Sequence, residues 1–326
     1  MQEAIIKRAK ELLADGTVNR VVGWKAGDFA YDVTPAVFTS AEELDKDFLY
    51  NDFCAPNLSK YHIKESRKEG KVLVFLKPCD SYSFNQLLKE HRILRDNVYV
   101  IAIPCRGKVD IGTVRDSGIK GITDMECDGE TLTIHTLYGD KTMSHADSLG
   151  DKCKTCKTKK HAACYDEMIG EEGEPNNDGK RFEMVEKLEA MTSEERFNFW
   201  RNELSKCIRC NACRNVCPAC SCENCVFDNP ASGIQQRAAV TSFEENMFHL
   251  IRAFHVAGRC TDCGECTRVC PQNIPLHLLN RKYIKDINEF YGEYQAGENF
   301  DERAPLNAYT FTDCEPDVVY KRGGNA

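Results

Sequence analysis

Two cysteine runs constrain this chain more than any other feature: CIRCNACRNVCP at Cys207–Pro218 and CTDCGECTRVCP at Cys260–Pro271. Each reads C-x2-C-x2-C-x3-C-P. In that spacing three thiolates of one run wrap one [4Fe–4S] cubane, and the fourth reaches across to the cluster of the other run. One ligand set is therefore Cys207, Cys210, Cys213 and Cys270, and the other is Cys260, Cys263, Cys266 and Cys217. Pro218 and Pro271 turn the chain away after each crossing ligand. A lone C-x-x-C is shared with many zinc sites. Two complete copies are not, and the pattern points to a protein that moves electrons.

Composition bounds the rest. The chain has 326 residues and 19 cysteines, and it opens on MQEAIIKRAKELLADG, an amphipathic helix rather than an apolar leader. A secreted disulfide framework is thereby the wrong reading, and thiols in metal-ligand spacing fit a reducing cytoplasm in an anaerobic setting. No apolar run approaches the length of a membrane span. The formal net charge of −8 is spread along the chain with no basic stripe, which argues against nucleic acid.

The fold class expected is an α/β N-terminal domain with a small mixed or parallel sheet, followed by a mainly helical, ferredoxin-like domain carrying two [4Fe–4S] clusters. Ile5, Ile6, Ala9, Leu12 and Leu13 recur at helical spacing. A short run at Val21 and Val22 stops at Gly23. KVLVFL (Lys71–Leu76) and NVYVIAI (Asn97–Ile103) read as strands, with a helix over Ser83–Leu94 between them, which makes a parallel βαβ unit. Thr131–Met143 reads as a hairpin turning at Gly139–Asp140. The boundaries expected are 1–170 for the α/β domain and 171–204 for a helical linker that opens on EEGEPNNDG. The split ferredoxin-like domain then takes 205–292, and a polar tail at 293–326 either stays disordered alone or folds along a partner. Helices are expected at Arg181–Leu204, around Glu244–Val256, and from Ile274 to Gly292.

Cys79 and Cys105 each follow a strand, in FLKPCD and AIPCRG, where open α/β sheets bind ligands. Cys153 and Cys156 form a C-x-x-C that the tandem runs do not need. Joined in space, the four complete a third [4Fe–4S] site. Alternatively, Cys79 and Cys105 are small buried apolar residues.

The stretches GTVNRVVGWKAGDFAYDVTPAVFTSAEELD, NDFCAPNLSK, VFLKPCDSYSFNQLLKE, NVYVIAIPCRG, CKTCK and CIRCNACRNVCPACSCENC run almost end to end. On them the chain resembles the β subunits of coenzyme F-420-dependent hydrogenase and formate dehydrogenase, above all the latter. The resemblance implies iron ligation at Cys79, Cys105, Cys153 and Cys156. It also aligns Cys54 with a cysteine of the formate dehydrogenase form. Cys54, Cys220, Cys222 and Cys225 are then candidates for a fourth cluster, or else packed thiols beside a neighbouring one. Family members that handle the deazaflavin carry FAD in the first domain. Here the Gly-Gly opening segment is missing and the stretch after CKTCK is short, so the reading disfavours FAD. No G-x-G-x-x-G offers another dinucleotide site.

The expectation is a cytoplasmic, non-catalytic electron-transfer subunit of a multi-subunit complex. It relays single electrons between a flavoprotein, hydrogenase or formate dehydrogenase module and a heterodisulfide-reductase-like acceptor, near flavin-based electron bifurcation. The alternative is an FAD-containing β subunit that itself oxidises or reduces a deazaflavin or nicotinamide carrier. Cys127, Cys164 and Cys314 follow no pattern and read as spare. His62, His91 and His135 read as surface or satisfied polar residues. Lys108, Arg115, Lys157, Lys159 and Lys160 read as solvated charges, or as a greeting for an acidic partner or nucleotide phosphate.

Overall fold

The computed structural model describes residues 1–305 except 30, 158, 174–179 and 229–241. Most of the expected linker opening, most of the tail, and Cys314 lie outside the described residues.

Five strands build the first sheet: β1 (Arg20–Ala26), β2 (Val33–Phe38), β3 (Val72–Leu76), β4 (Val98–Ala102) and, last in the chain, β8 (Glu167–Met168). The order is β2-β1-β3-β4-β8. The β1–β2 pair is antiparallel; β1–β3, β3–β4 and β4–β8 are parallel. Every residue of β3 is buried, as its unbroken VLVFL run requires of a strand covered on both faces. A second sheet, β5 (Ile122–Asp128), β6 (Thr131–Thr136) and β7 (Lys141–Ser144), is an antiparallel meander. Its Met125, Leu132 and Ile134 join the same hydrophobic core.

The expected parallel unit is present, with shifted edges. The connecting helix runs Pro78–Lys89, not Ser83–Leu94, because Pro78 occupies the first helical turn, where a missing N–H costs nothing. β1 runs through Gly23, where an added Cβ would lie 2.4 Å from the Phe48 ring. Only glycine lets Phe48 pack against this strand.

Past β8 the described elements are helical. The helix expected over Arg181–Leu204 is two, Glu183–Ala190 and Ser193–Ser205. The second starts with a capping box in which Thr192 and Glu195 satisfy each other's backbone N–H groups. These helices do not stand apart as a linker. Val185 and Leu188 pack on Leu278 of the helix Leu276–Tyr291, and Leu204 packs on Cys213, Cys266 and Ile274. The tail, as far as it is described, also lies on its own chain. Tyr294 and Ala296 are buried, and Asn85 donates to the Gly297 carbonyl at 3.0 Å.

Candidate metal centre

The two tandem runs fold as copies. In each, the residue before the second cysteine takes a left-handed conformation (Arg209, φ 52°; Asp262, φ 57°), and so does the residue after it (Asn211, φ 62°; Gly264, φ 67°). Successive N–H groups in such turns converge on one point, a ready anion nest. Arg209 N–H donates to Cys207 Sγ at 3.3 Å. Gly264 is obligatory on a second count, since a Cβ there would meet Lys152 at 2.6 Å.

Cys207, Cys210, Cys213 and Cys270 line one cavity, closed by Phe248, His249 and Ile274. Cys217 lies within electrostatic reach of Cys260, Cys263 and Cys266. These placements are compatible with the crossed pairing expected from the spacing, and Cys266 also packs beside Cys213. Burial pushes the thiols of Cys260, Cys263 and Cys266 up. Cys217 goes the other way: the Cys220 thiol donates to it, and Arg252 and Lys60 stand beside it.

The third set is assembled by the sheet. Cys79 lies three residues past the end of β3 and Cys105 three past the end of β4. Val109 bridges to Leu149 and carries the short helix Asp151–Lys154, with Cys153, to the same place. Cys79, Cys105, Cys153 and Cys156 line a single cavity. Across it, from the C-terminal half, come Thr261, Asp262 and Cys263. The cavity of the strand-end set thus shares a wall with a ligand of the second tandem set.

The cations around this cavity are what the sequence did not show. Lys77, in the K-P-C-D segment, is buried 2.8 Å from Asp80 and 4.5 Å over the Trp24 ring. Burial works against its charge, but Asp80 and the Cys79 sulfur hold the ammonium above its usual range. Lys152 donates to the fully buried Glu265 at 3.0 Å, joining the two halves. Lys108 and Lys159, expected in solvent, are buried; Lys108 sits 4.3 Å over Tyr50 and donates to the Asn51 carbonyl. Lys157 pairs with Glu298 at 2.6 Å. A [4Fe–4S] cluster held by four thiolates is a buried anion, and buried charge must be compensated. The donor set and the surrounding cations fit that group at all three places.

The four extra cysteines stand in different surroundings. Cys54 is fully buried in the first domain, with its sulfur toward the Leu49 carbonyl and Asn51. Cys220 is tied to Cys217, Cys225 lies near Arg214, and Cys222 is exposed near Arg259. Among the described residues no contact joins Cys54 to the other three. Cys127 lies with Asp52 and His145 in a group whose ligand atoms are within 4.8 Å of one another. Arg106 fills that place, making two bonds to Asp52 and approaching Cys127 Sγ to 3.5 Å. His62 is not a surface residue: it is wholly buried, neither ring nitrogen has a hydrogen-bond partner, and burial lowers its pKa to about 3. His91 is exposed and His135 pairs with Asp140, as expected.

These sites define an iron–sulfur protein, and residues 203–274 match the model of the 4Fe-4S dicluster domain. The chain is related to F420-dependent formate dehydrogenase β subunits. It is 24% identical to that subunit of Methanocaldococcus jannaschii over 86% of this chain and 88% of the relative. It is 26% identical to subunit β of the F420-dependent formate dehydrogenase 1 of Methanococcus maripaludis, over 69% of this chain and 73% of the relative. Among solved structures, a chain of the F420-reducing [NiFe] hydrogenase complex from Methanosarcina barkeri aligns with a TM-score of 0.36 and 16% identity. That alignment covers 47% of this chain and 58% of the other. No helix among the described residues is long and apolar enough to cross a membrane.

Proposed function

We propose that this chain is an electron-relay subunit with three [4Fe–4S] clusters, held by Cys79/Cys105/Cys153/Cys156, by Cys217/Cys260/Cys263/Cys266 and by Cys207/Cys210/Cys213/Cys270. The observation that carries the reading is the shared wall: Cys263 lines the cavity of the strand-end set. Bound clusters of this kind supply reversible one-electron uptake, with no acid–base group required of the chain. The residues bring the three thiolate sets close to one another and offset their charge with Lys77, Lys152, Arg252 and Lys60. Ser83 and Thr261 share a buried hydrogen bond of 2.8 Å, Lys152 pairs with Glu265, and Arg259 with Glu90, and these contacts tie the two halves together. At the far end Cys210 and Ile208 are exposed and offer a contact edge to a partner.

The partners proposed are a module that oxidises formate, hydrogen or a reduced nucleotide carrier and an acceptor of the heterodisulfide-reductase kind. The names of the relatives favour the formate side. Iron, sulfide and flavin per chain after anaerobic purification test the reading. About twelve irons without flavin are expected from three four-iron clusters. About eight removes the strand-end site. Stoichiometric FAD, bleached by reduced deazaflavin, overturns the relay and makes the chain an enzyme.

A further inference from the structure

The segment 218–259 separates the two tandem runs, and the motifs themselves give it no task. Its helix, Ser242–Val256, is what closes the cluster-binding half from one side. His249 and Arg252 lie one turn apart on it, hence on one face, and both are buried, at 2% and 3% exposure. His249 lines the cavity of Cys207, Cys210, Cys213 and Cys270, and neither of its ring nitrogens has a hydrogen-bond partner. Arg252 donates from Nη2 to the Cys213 carbonyl at 2.9 Å, and its Nε has no partner. No carboxylate pairs with it among the described residues. Its charge faces the sulfurs of Cys217, Cys266, Cys213 and Cys220, with the Lys60 ammonium and His249 also near it.

A guanidinium taken out of water without a carboxylate is a costly arrangement unless another anion stands in for one. Here the anions are thiolates, and they come from both tandem sets: Cys213 belongs to the first, Cys217 and Cys266 to the second. We infer that Arg252 is a shared counter-charge that sets the reduction potential of both tandem sites. The inference rests on the relay reading. A positive charge beside a redox group favours the state with one more electron. Because Arg252 stands beside sulfurs of both sets, it shifts both potentials in the same direction.

EPR-monitored redox titration of the anaerobic, full-length holoprotein is the test. Iron per chain comes first: fewer than about eight irons in the wild type overturns the relay reading and this inference with it. With full iron, Arg252→Met is expected to lower both midpoints, with the reduced-to-oxidised ratio at the wild-type midpoint falling at least tenfold, or about 59 mV for one electron. Arg252→Lys keeps the charge and is expected to restore most of that shift. Midpoints unmoved in an iron-replete Arg252→Met protein overturn the inference alone. If that variant loses its iron, guanidino-15N-arginine in the wild type and in Arg252→Lys decides. A nitrogen hyperfine coupling to the reduced clusters that vanishes in Arg252→Lys supports the inference, and its absence from the wild type overturns it.

Discussion

The tandem sites and the strand-end site each gather four sulfurs, by opposite means. A tandem loop takes three of its ligands from seven consecutive residues and shapes them with two left-handed positions. The strand-end site draws on two strands, a bridge and a short helix, so its geometry exists only when the α/β core does. Local spacing fixes the first; the second is a product of tertiary structure, and buried charge follows the same division. Around the strand-end cavity Lys77 and Asp80 are locked into the core itself. In the tandem half Asp262 answers to Arg281 and Arg181, both at 3.0 Å, and Arg268 and Lys152 hold Glu265 well below the usual carboxylate range despite its burial.

The sharpest way to break this comparison is to remove one ligand on each side. Cys79→Ser is expected to take iron from about twelve to about eight per chain and leave the tandem signals in the EPR spectrum unchanged. Loss of all iron would show that the regions are not separable. Next in size, Asp80→Asn strands the buried Lys77 ammonium without its partner and is expected to cost about 3–5 kcal/mol. Chemical denaturation of the apoprotein should show the first domain unfolding earlier and the tandem half unchanged. A smaller effect concerns pH. His62 is held neutral in the fold, with a pKa of about 3, against 6.5 when free. The unfolded chain binds that proton first as pH falls below 6.5, so stability drops there by ~1.4 kcal/mol per unit and is flat above. His62→Gln should reduce the slope between pH 6.5 and 5 in the first domain's denaturation midpoint, and the part left belongs to groups such as His145, which burial also holds neutral. Smallest, Thr192→Ala removes the capping box and is expected to cost ~1 kcal/mol in the tandem half alone, with iron content unchanged.

Legibility follows the same line. The loop shape of each tandem run could be read directly, because cysteines three residues apart constrain one turn of chain. Spacing showed Cys79 and Cys105 only as residues past strands, and their grouping with Cys153 and Cys156 leaned on the family resemblance, since nothing in KPCD or IPCRG says which other thiols the fold brings near. Lys108 and Lys159 were misjudged, and Lys77 passed over, because a lysine's burial depends on what closes over it, here Tyr50, the strand-end cavity and Trp24. β2 went unseen because VTPAVF carries Pro35. The two-helix break at Thr192 was written in T-S-E-E but hidden by the absence of any glycine or proline.

Pro35 has a consequence for the life of the chain before it is complete. Iron–sulfur proteins wait for their inorganic parts while folded in outline, and an open sheet at that stage is a template for other chains. Here one margin ends in β2, whose proline offers no N–H to an incoming strand, and the other in β8, only two residues long. Neither margin gives a stranger a run of bonds to form. The sheet that must be ready first is thereby protected from aggregation during the wait.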